Sequence, residues 1–165
     1  ELDRQGREVA CVPREYVTPR HYSDNTISIV PVIKTPQGCL VGLELRDLPA
    51  AQIHTGNSAI YVIPAFRLLR SVQSLDAAKE AAMHSIEKWF YASPRKAWEL
   101  GGAYASSAGC TPELVYPLLM EIDAASAPDS RLTWFRLEDL MGNLEHILDG
   151  HTLTGLRRAQ HSQKR

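Results

Sequence analysis

Apolar and polar residues follow two different periods along the chain, one of which is typical of strands. Residues 26–34 are rich in β-branched side chains, Pro36 and Gly38 supply a turn, and a second apolar stretch follows at 39–45. Two such stretches joined by a short turn predict a β-hairpin. The same character predicts the remaining strands, at residues 59–65, 98–102, 103–107, 114–122 and 132–136.

The second period is helical and begins at Leu75. From there to about Tyr91 apolar side chains recur every three or four residues, and Pro94 ends the pattern. Ser74 stands where an N-cap residue is favoured, because its side-chain oxygen can accept a hydrogen bond from the first turn. These residues predict one long amphipathic helix.

Two further helices are predicted near the C-terminus. An amphipathic pattern runs over residues 137–148 and is closed by Gly150, and residues 152–159 form a short last helix. The helices do not alternate regularly with the strands. This order predicts an α/β (α+β) fold, an α/β/α sandwich in which helices cover both faces of a mixed central sheet.

Length and composition predict one compact domain. The chain has 165 residues, of which 44% are hydrophobic, and this is enough for a single full core. We assign the domain to residues 25–159, with N-terminal edge strands at 1–24 and a basic tail at 160–165. The formal charge of -1 gives no overall field that would attract nucleic acid or an acidic membrane surface, so we expect neither as a partner.

Cysteine content and hydropathy predict a cytoplasmic location. The three cysteines are far apart, odd in number and without a Cys-x-x-Cys pair, which argues against both a disulfide framework and a zinc site. No apolar run approaches the length needed to cross a bilayer, and we expect no association with a membrane.

Several short motifs occur in order along residues 25–159. They are Leu43-Glu44-Leu45-Arg46, Ile63-Pro64-Ala65, Trp98-Glu99-Leu100-Gly101, Ser106-Ser107-Ala108-Gly109 followed by Glu113, and Asp149-Gly150-His151-Thr152-Leu153. Their order and spacing resemble the Nudix hydrolase family, in particular its ADP-ribose and nucleoside-diphosphate-sugar pyrophosphatase branch. The resemblance implies a Nudix-type α/β/α sandwich. Because members of that branch often exchange N-terminal strands, it also implies a homodimer formed through residues 1–24.

The family's helical motif is the part from which this chain departs. The motif reads Arg-Glu-aliphatic-x-Glu-Glu-x-Gly, and its glutamates lie one turn apart, where they hold Mg²⁺ or Mn²⁺ against a pyrophosphate. In the register we prefer, His84 stands at the arginine position and Tyr91 at the glycine position. The glutamate positions are then occupied by Ser85, Lys88 and Trp89.

A second register of the same motif also lacks the carboxylates. It puts Glu80 at the arginine position, Ala81 at the first glutamate, and His84 and Ser85 at the glutamate pair. Phe66 in addition stands where the family has a glycine after Pro-Ala. A hard divalent cation requires negatively charged oxygen ligands, so we expect no metal at the usual position and no cofactor.

The loss of these glutamates predicts a protein whose pyrophosphohydrolase activity is lost or strongly reduced. It would bind a nucleotide-like ligand or serve as an interaction module. Arg46 and Arg67 are candidates to hold phosphate, because the guanidinium fork suits that group. His84 and Trp89 are further ligand-binding candidates. Trp89 could fill the space left by the metal, whereas Tyr91 could leave the helix and cap its end.

Carboxylates elsewhere support an alternative, a metal-dependent hydrolase with relocated ligands. Glu80, Glu87 and Glu113 would then surround Mg²⁺ or Mn²⁺ and act on ADP-ribose or a nucleotide sugar. Glu113 falls in the loop from which the family supplies a base or an outer ligand. The plainer interpretation of the helix acids, Asp76, Glu80 and Glu87, is a solvated surface on which Lys79 and Lys88 are their ionic partners.

Overall fold

The structure, a computed structural model, describes residues 22–48, 56, 59–72, 74–106 and 113–162. Residues 1–21 lie outside these ranges, and with them nearly all of the predicted N-terminal strands and the homodimer they would form. The described strands are β1 (Tyr22–Thr35), β2 (Gly38–Asp47), β3 (Ala59–Val62), β4 (Ala65–Leu69), β5 (Pro94–Glu99), β6 (Tyr104–Ala105), β7 (Leu114–Ile122) and β8 (Thr133–Arg136). The described α-helices are α1 (Leu75–Phe90), α2 (Leu137–Gly142) and α3 (Gly150–Ser162).

The described strands form one mixed sheet. Its main path runs β3-β2-β1-β7-β5, with β4 beside β1, β6 beside β7 and β8 beside β2. The central pair β1 and β7 is parallel, and the other pairs are antiparallel. The predicted hairpin of β1 and β2 is confirmed. It turns at Gly38, whose φ of 124° is a conformation that glycine adopts most easily.

β1 contributes to two hydrophobic layers, because consecutive strand residues point to opposite faces of a sheet. Ile27 and Ile29 pack in the layer that contains α1. Val30 and Val32 pack in the layer that contains residues of α2 and α3. Helices therefore cover both faces of a mixed sheet, as the predicted α/β/α sandwich requires.

Both ends of α1 are as the sequence predicts. The Ser74 hydroxyl accepts a hydrogen bond from the Ala77 N–H at 3.1 Å and caps the N-terminus. At the other end Tyr91 takes a left-handed conformation, with φ 53°, and its N–H donates to the Glu87 carbonyl at 3.2 Å. Tyr91 thus leaves the helix and caps its end, as one of the two interpretations of the aromatic cluster proposed.

The strand predicted at residues 59–65 is in fact two strands. β3 pairs with β2, whereas β4 pairs with β1. The chain changes partners at Ile63 and Pro64, because proline has no N–H to donate to the ladder of β3. The Ile63 N–H instead donates to the Thr152 hydroxyl at 2.9 Å, and the Pro64 carbonyl accepts from Ile29 N–H at 2.8 Å.

The helix predicted at residues 137–148 is also wrong in its extent. α2 ends at Gly142, a 3₁₀ turn follows at Leu144–His146, and Gly150 begins α3 instead of closing α2. The physical reason is a cap. The Asp149 carboxylate accepts hydrogen bonds from the N–H and the hydroxyl of Thr152, at 2.7 and 2.6 Å, and so starts a new helix.

The limits of the predicted domain fall inside regular elements. β1 begins at Tyr22, before residue 25, and α3 continues to Ser162, past residue 159. The division into segments 1–24, 25–159 and 160–165 stays a prediction. Among the helices of the described residues, none has the length and apolar character needed to cross a membrane.

Two glycines allow neighbouring side chains to pack closely against the backbone. A Cβ atom at Gly155 on α3 would lie 2.8 Å from Ile63 Cδ1 and 2.9 Å from Val30 Cγ2. A Cβ atom at Gly42 on β2 would lie 2.9 Å from Leu132 Cδ1 and 3.0 Å from a ring carbon of Trp134. A side chain at either position would displace buried neighbours.

We predict that Gly155→Ala destabilises the protein. The added methyl group overpacks the contact of α3 with the sheet, and such changes typically cost about 1–3 kcal/mol. The matched control is Gly142→Ala on α2, where a Cβ atom would meet nothing within 4 Å. Urea unfolding of the two variants measures the difference. Equal midpoints for Gly155→Ala and the wild type would contradict the close approach.

Candidate functional site

A cavity of about 830 Å³ opens between α1 and the strands β2, β4 and β8. Its volume is in the range of small-molecule sites. Three of the predicted ligand-binding residues line it, namely Arg46, Arg67 and Trp89. Lining residues that the sequence analysis did not single out as ligand-binding include Glu44, Ser85 and Arg131.

The β2 wall of the cavity carries an ion pair. Glu44 and Arg46 are two residues apart on a strand, so they point to the same face. The Arg46 guanidinium donates a hydrogen bond to the Glu44 carboxylate. Burial raises the pKa of Glu44, and the charge and hydrogen bond of Arg46 oppose that rise. Sequence reasoning missed Glu44, although its spacing from Arg46 was a usable signal.

The α1 wall carries a hydroxyl and aromatic rings. Ser85 and Trp89 lie one turn apart and both line the cavity. The Ser85 hydroxyl donates to the Ala81 carbonyl at 2.8 Å, and the Lys88 amino group lies 5.3 Å from the centroid of the Trp89 ring. Trp89 is 56% exposed, so much of its indole remains accessible to a ligand.

Arg131 precedes β8 in the chain and contacts the C-terminal end of α1. Its guanidinium carbon is 4.7 Å from the centroid of the Tyr91 ring, and one of its N–H groups donates to the Tyr91 hydroxyl at 3.3 Å. The Arg131 backbone N–H donates to the Phe90 carbonyl at 2.9 Å. The contact between the side chains of Tyr91 and Arg131 joins residues 40 positions apart, and no local pattern in the sequence pointed to it.

Glu113 contacts Arg67, which lines the cavity. The Glu113 carboxylate accepts hydrogen bonds from the hydroxyls of Thr26, at 2.5 Å, and of Ser106. Arg67 Nη2 lies 3.9 Å from its nearer oxygen. Burial alone would raise the pKa of Glu113. The two hydrogen bonds and the charges of Arg67 and His151 outweigh burial, so the pKa lies below its ordinary value.

The remaining candidates on α1 point to solvent. Glu80, His84 and Glu87 are exposed and do not line the cavity. Lys79 forms ion pairs with Asp76 at 3.4 Å and with Glu99. In the part of the chain that the structure describes, no three histidine, cysteine or acidic side chains form a group able to hold a metal. Glu80, Glu87 and Glu113 are therefore not brought together.

Solved structures share this architecture. The Nudix domain of Shewanella oneidensis NrtR in complex with ADP-ribose matches with a TM-score of 0.56 and 16% identity, over 84% of this chain and 87% of that one. A MutT/Nudix family protein from Listeria innocua matches with a TM-score of 0.63 and 12% identity, over 90% and 96%. The chain has the Nudix fold.

One further match is to a longer chain, and two further comparisons use the sequence. A second structure of Shewanella oneidensis NrtR matches with a TM-score of 0.59 and 16% identity, over 84% of this chain, which spans 63% of that NrtR chain. No protein-family model and no curated protein matches the sequence. The similarity therefore lies in the fold alone.

The Nudix family uses a divalent metal, and the residues around this cavity do not fit one. Mg²⁺ and Mn²⁺ need several oxygen ligands, usually with carboxylates among them. Glu44 is the single acidic residue among the described lining residues, and it is already paired with Arg46. Arg67 and Arg131 add two further positive charges. This donor set favours an anion over a cation.

We predict that Glu113 makes stability depend on acid pH. Its pKa is lowered in the folded state from an ordinary value of 4.5, so its contribution is present above that value and is lost as pH falls through the folded pKa. Thermal unfolding from about pH 7 to about pH 3 should therefore show a smaller decline for Glu113→Gln, which also starts from a lower stability.

The exposed Glu80→Gln variant is the control for this measurement and should follow the wild type. Identical declines for the wild type and Glu113→Gln would show that the hydrogen bonds of Glu113 do not stabilise the fold.

Proposed function

We propose that this Nudix-fold protein binds a nucleotide-like ligand in the cavity and has lost, or strongly reduced, pyrophosphohydrolase activity. The observation that carries the proposal is which residues of α1 line the cavity. Ser85 and Trp89 line it, at positions where the preferred register of the family motif expects glutamates. In the family motif, carboxylates bind the metal, and the metal polarises the pyrophosphate. Those carboxylates have no counterpart on this surface.

The backbone at Tyr91 supports that register. The motif ends in glycine, a residue suited to a left-handed conformation, and Tyr91 at the same position has φ 53°. The second register would put Glu87 at the glycine position, in the middle of α1. A helical residue does not require glycine.

The charge of the cavity supports an anionic ligand. Its described lining has three arginines and one glutamate, so it carries an excess of positive charge at neutral pH. Guanidinium groups bind phosphate through paired hydrogen bonds. The lining also contains flat apolar surfaces, Trp89 and Phe66, that suit a base or a sugar. This combination is appropriate for a nucleoside diphosphate linked to a second group.

The related structures suggest which ligand to test first. The Nudix domain of NrtR was solved in complex with ADP-ribose, which makes ADP-ribose a reasonable probe for this chain. The cytoplasmic location and the homodimer formed through residues 1–24 remain predictions from the sequence.

We predict no turnover of ADP-ribose or nucleotide sugars in the presence of Mg²⁺ or Mn²⁺. Product formation measured by chromatography should not exceed that of a sample without protein. Robust hydrolysis that is abolished in Glu113→Gln would contradict the proposal and favour the relocated-ligand hydrolase.

We predict that Trp89→Ala weakens ADP-ribose binding by roughly tenfold, because stacking of a base on an aromatic side chain is worth about 1–3 kcal/mol. Titration calorimetry measures the affinity. Trp98→Ala is the matched control, since Trp98 lies on β5 and does not line the cavity. Equal losses in both variants would argue against binding at Trp89, and absence of binding by the wild type would favour an interaction module.

A further inference from the structure

We infer that Arg131, held on the ring of Tyr91, forms with Arg67 a metal-independent subsite for the phosphate groups of the ligand. This inference rests on the proposed function and names the chemistry by which the cavity would hold an anion. It assigns a role to two residues, Tyr91 and Arg131, that the family motif does not provide.

The end of α1 supplies the platform. Tyr91 occupies the position after the last helical residue. It is 54% exposed and follows Trp89 and Phe90, which line the cavity. A glycine at this position would satisfy the backbone equally well but would offer no ring. The tyrosine thus adds a surface on which a guanidinium group can lie.

Arg131 is fixed at both its backbone and its side chain. The backbone N–H is bonded to the Phe90 carbonyl, and the guanidinium group lies over the Tyr91 ring and donates to its hydroxyl. Ordering a long side chain before a ligand arrives lowers the entropy cost of binding. A guanidinium has five N–H donors, and one bond to Tyr91 leaves others to face the cavity.

The neighbouring charges indicate that Arg131 and Arg67 are the residues available to an anion. Arg46 is hydrogen-bonded to Glu44, which neutralises it. Arg67 forms an ion pair with Glu113 at 3.9 Å, which is longer than a hydrogen bond, and its side chain is 40% exposed, so its N–H groups remain accessible to an anion. No carboxylate of the described residues forms an ion pair with Arg131.

The two available cations lie on different walls of one cavity. Arg67 is on β4. Arg131 precedes β8 in the chain and contacts the C-terminal end of α1. A diphosphate group between them would receive hydrogen bonds from both sides, where an active Nudix enzyme would use a divalent cation. Two guanidinium groups, of which Arg131 is held in place before the ligand arrives, can neutralise such a group without a metal.

The experiment is titration calorimetry of ADP-ribose and of inorganic pyrophosphate, each in EDTA and in Mg²⁺. We expect the wild type to bind ADP-ribose in EDTA. Arg131→Ala should bind it about tenfold more weakly, the loss of one charge-assisted hydrogen bond. Arg131→Lys should fall between, because it keeps the charge and loses the fork. Arg157→Ala on α3, an exposed arginine outside the cavity, is the control and should equal the wild type.

Variants of Tyr91 separate binding from folding. Tyr91→Gly removes the platform at a position whose left-handed backbone suits glycine, so it should weaken binding several-fold without lowering thermal stability. Tyr91→Phe keeps the ring and should bind nearly as well as the wild type. Wild-type affinity in Arg131→Ala or Tyr91→Gly would overturn the subsite.

Failure of the inference is distinguishable from failure of the proposed function. Wild-type binding of ADP-ribose that appears in Mg²⁺ and disappears in EDTA would overturn the metal-independent subsite and leave ligand binding in place. Absence of binding in both conditions would overturn both.

Discussion

The architecture depends on the burial of β1 on both of its faces. This strand pairs with β2 and β4 on one side and with the parallel β7 on the other, and its residues from Thr26 to Ile33 are buried. Alternating side chains must satisfy two separate hydrophobic layers, so a shift of register by one residue would exchange them. The positions of two cavity walls depend on this strand, because β2 and β4, which carry Arg46 and Arg67, are both paired with it.

The charge of the cavity follows from the residues that line it. In the Nudix family motif the helix presents carboxylates, which attract a cation and through it a pyrophosphate. Here the corresponding surface presents Ser85 and Trp89, while β2, β4 and the approach to β8 each bring an arginine. A cavity with three arginines and one glutamate is electrostatically suited to phosphate oxygens. The proposed binding would therefore not depend on a metal-activated water.

Local features of the chain could be predicted from the sequence because their causes are local. The hairpin of β1 and β2 and the cap at Ser74 depend on neighbouring residues, and so does the helix over residues 75–90. β4 was missed because its pairing with β1 depends on a change of partner at Pro64. The length of α2 was misjudged because the Asp149 cap competes with a continuous apolar pattern.

The candidate site was predictable to the extent that its residues match a known motif. Arg46 was chosen because it matches a family position and Trp89 because it stands at a motif position, and both line the cavity. Arg67 was chosen for its guanidinium group alone, and Glu44 could have been found from its strand spacing to Arg46. Arg131 could not, because its contact with Tyr91 joins segments that are adjacent only after folding.

Gly42 links the interior of the sheet to the rim of the cavity. With no side chain there, Leu132 and the indole of Trp134 lie directly on β2, and Arg131 precedes them in the chain. A methyl group at this position would crowd Leu132 and Trp134 and would displace them. Because Arg131 directly precedes Leu132 in the chain, the position of its guanidinium group at the cavity depends on the lack of a side chain at Gly42, a residue that does not itself line the cavity.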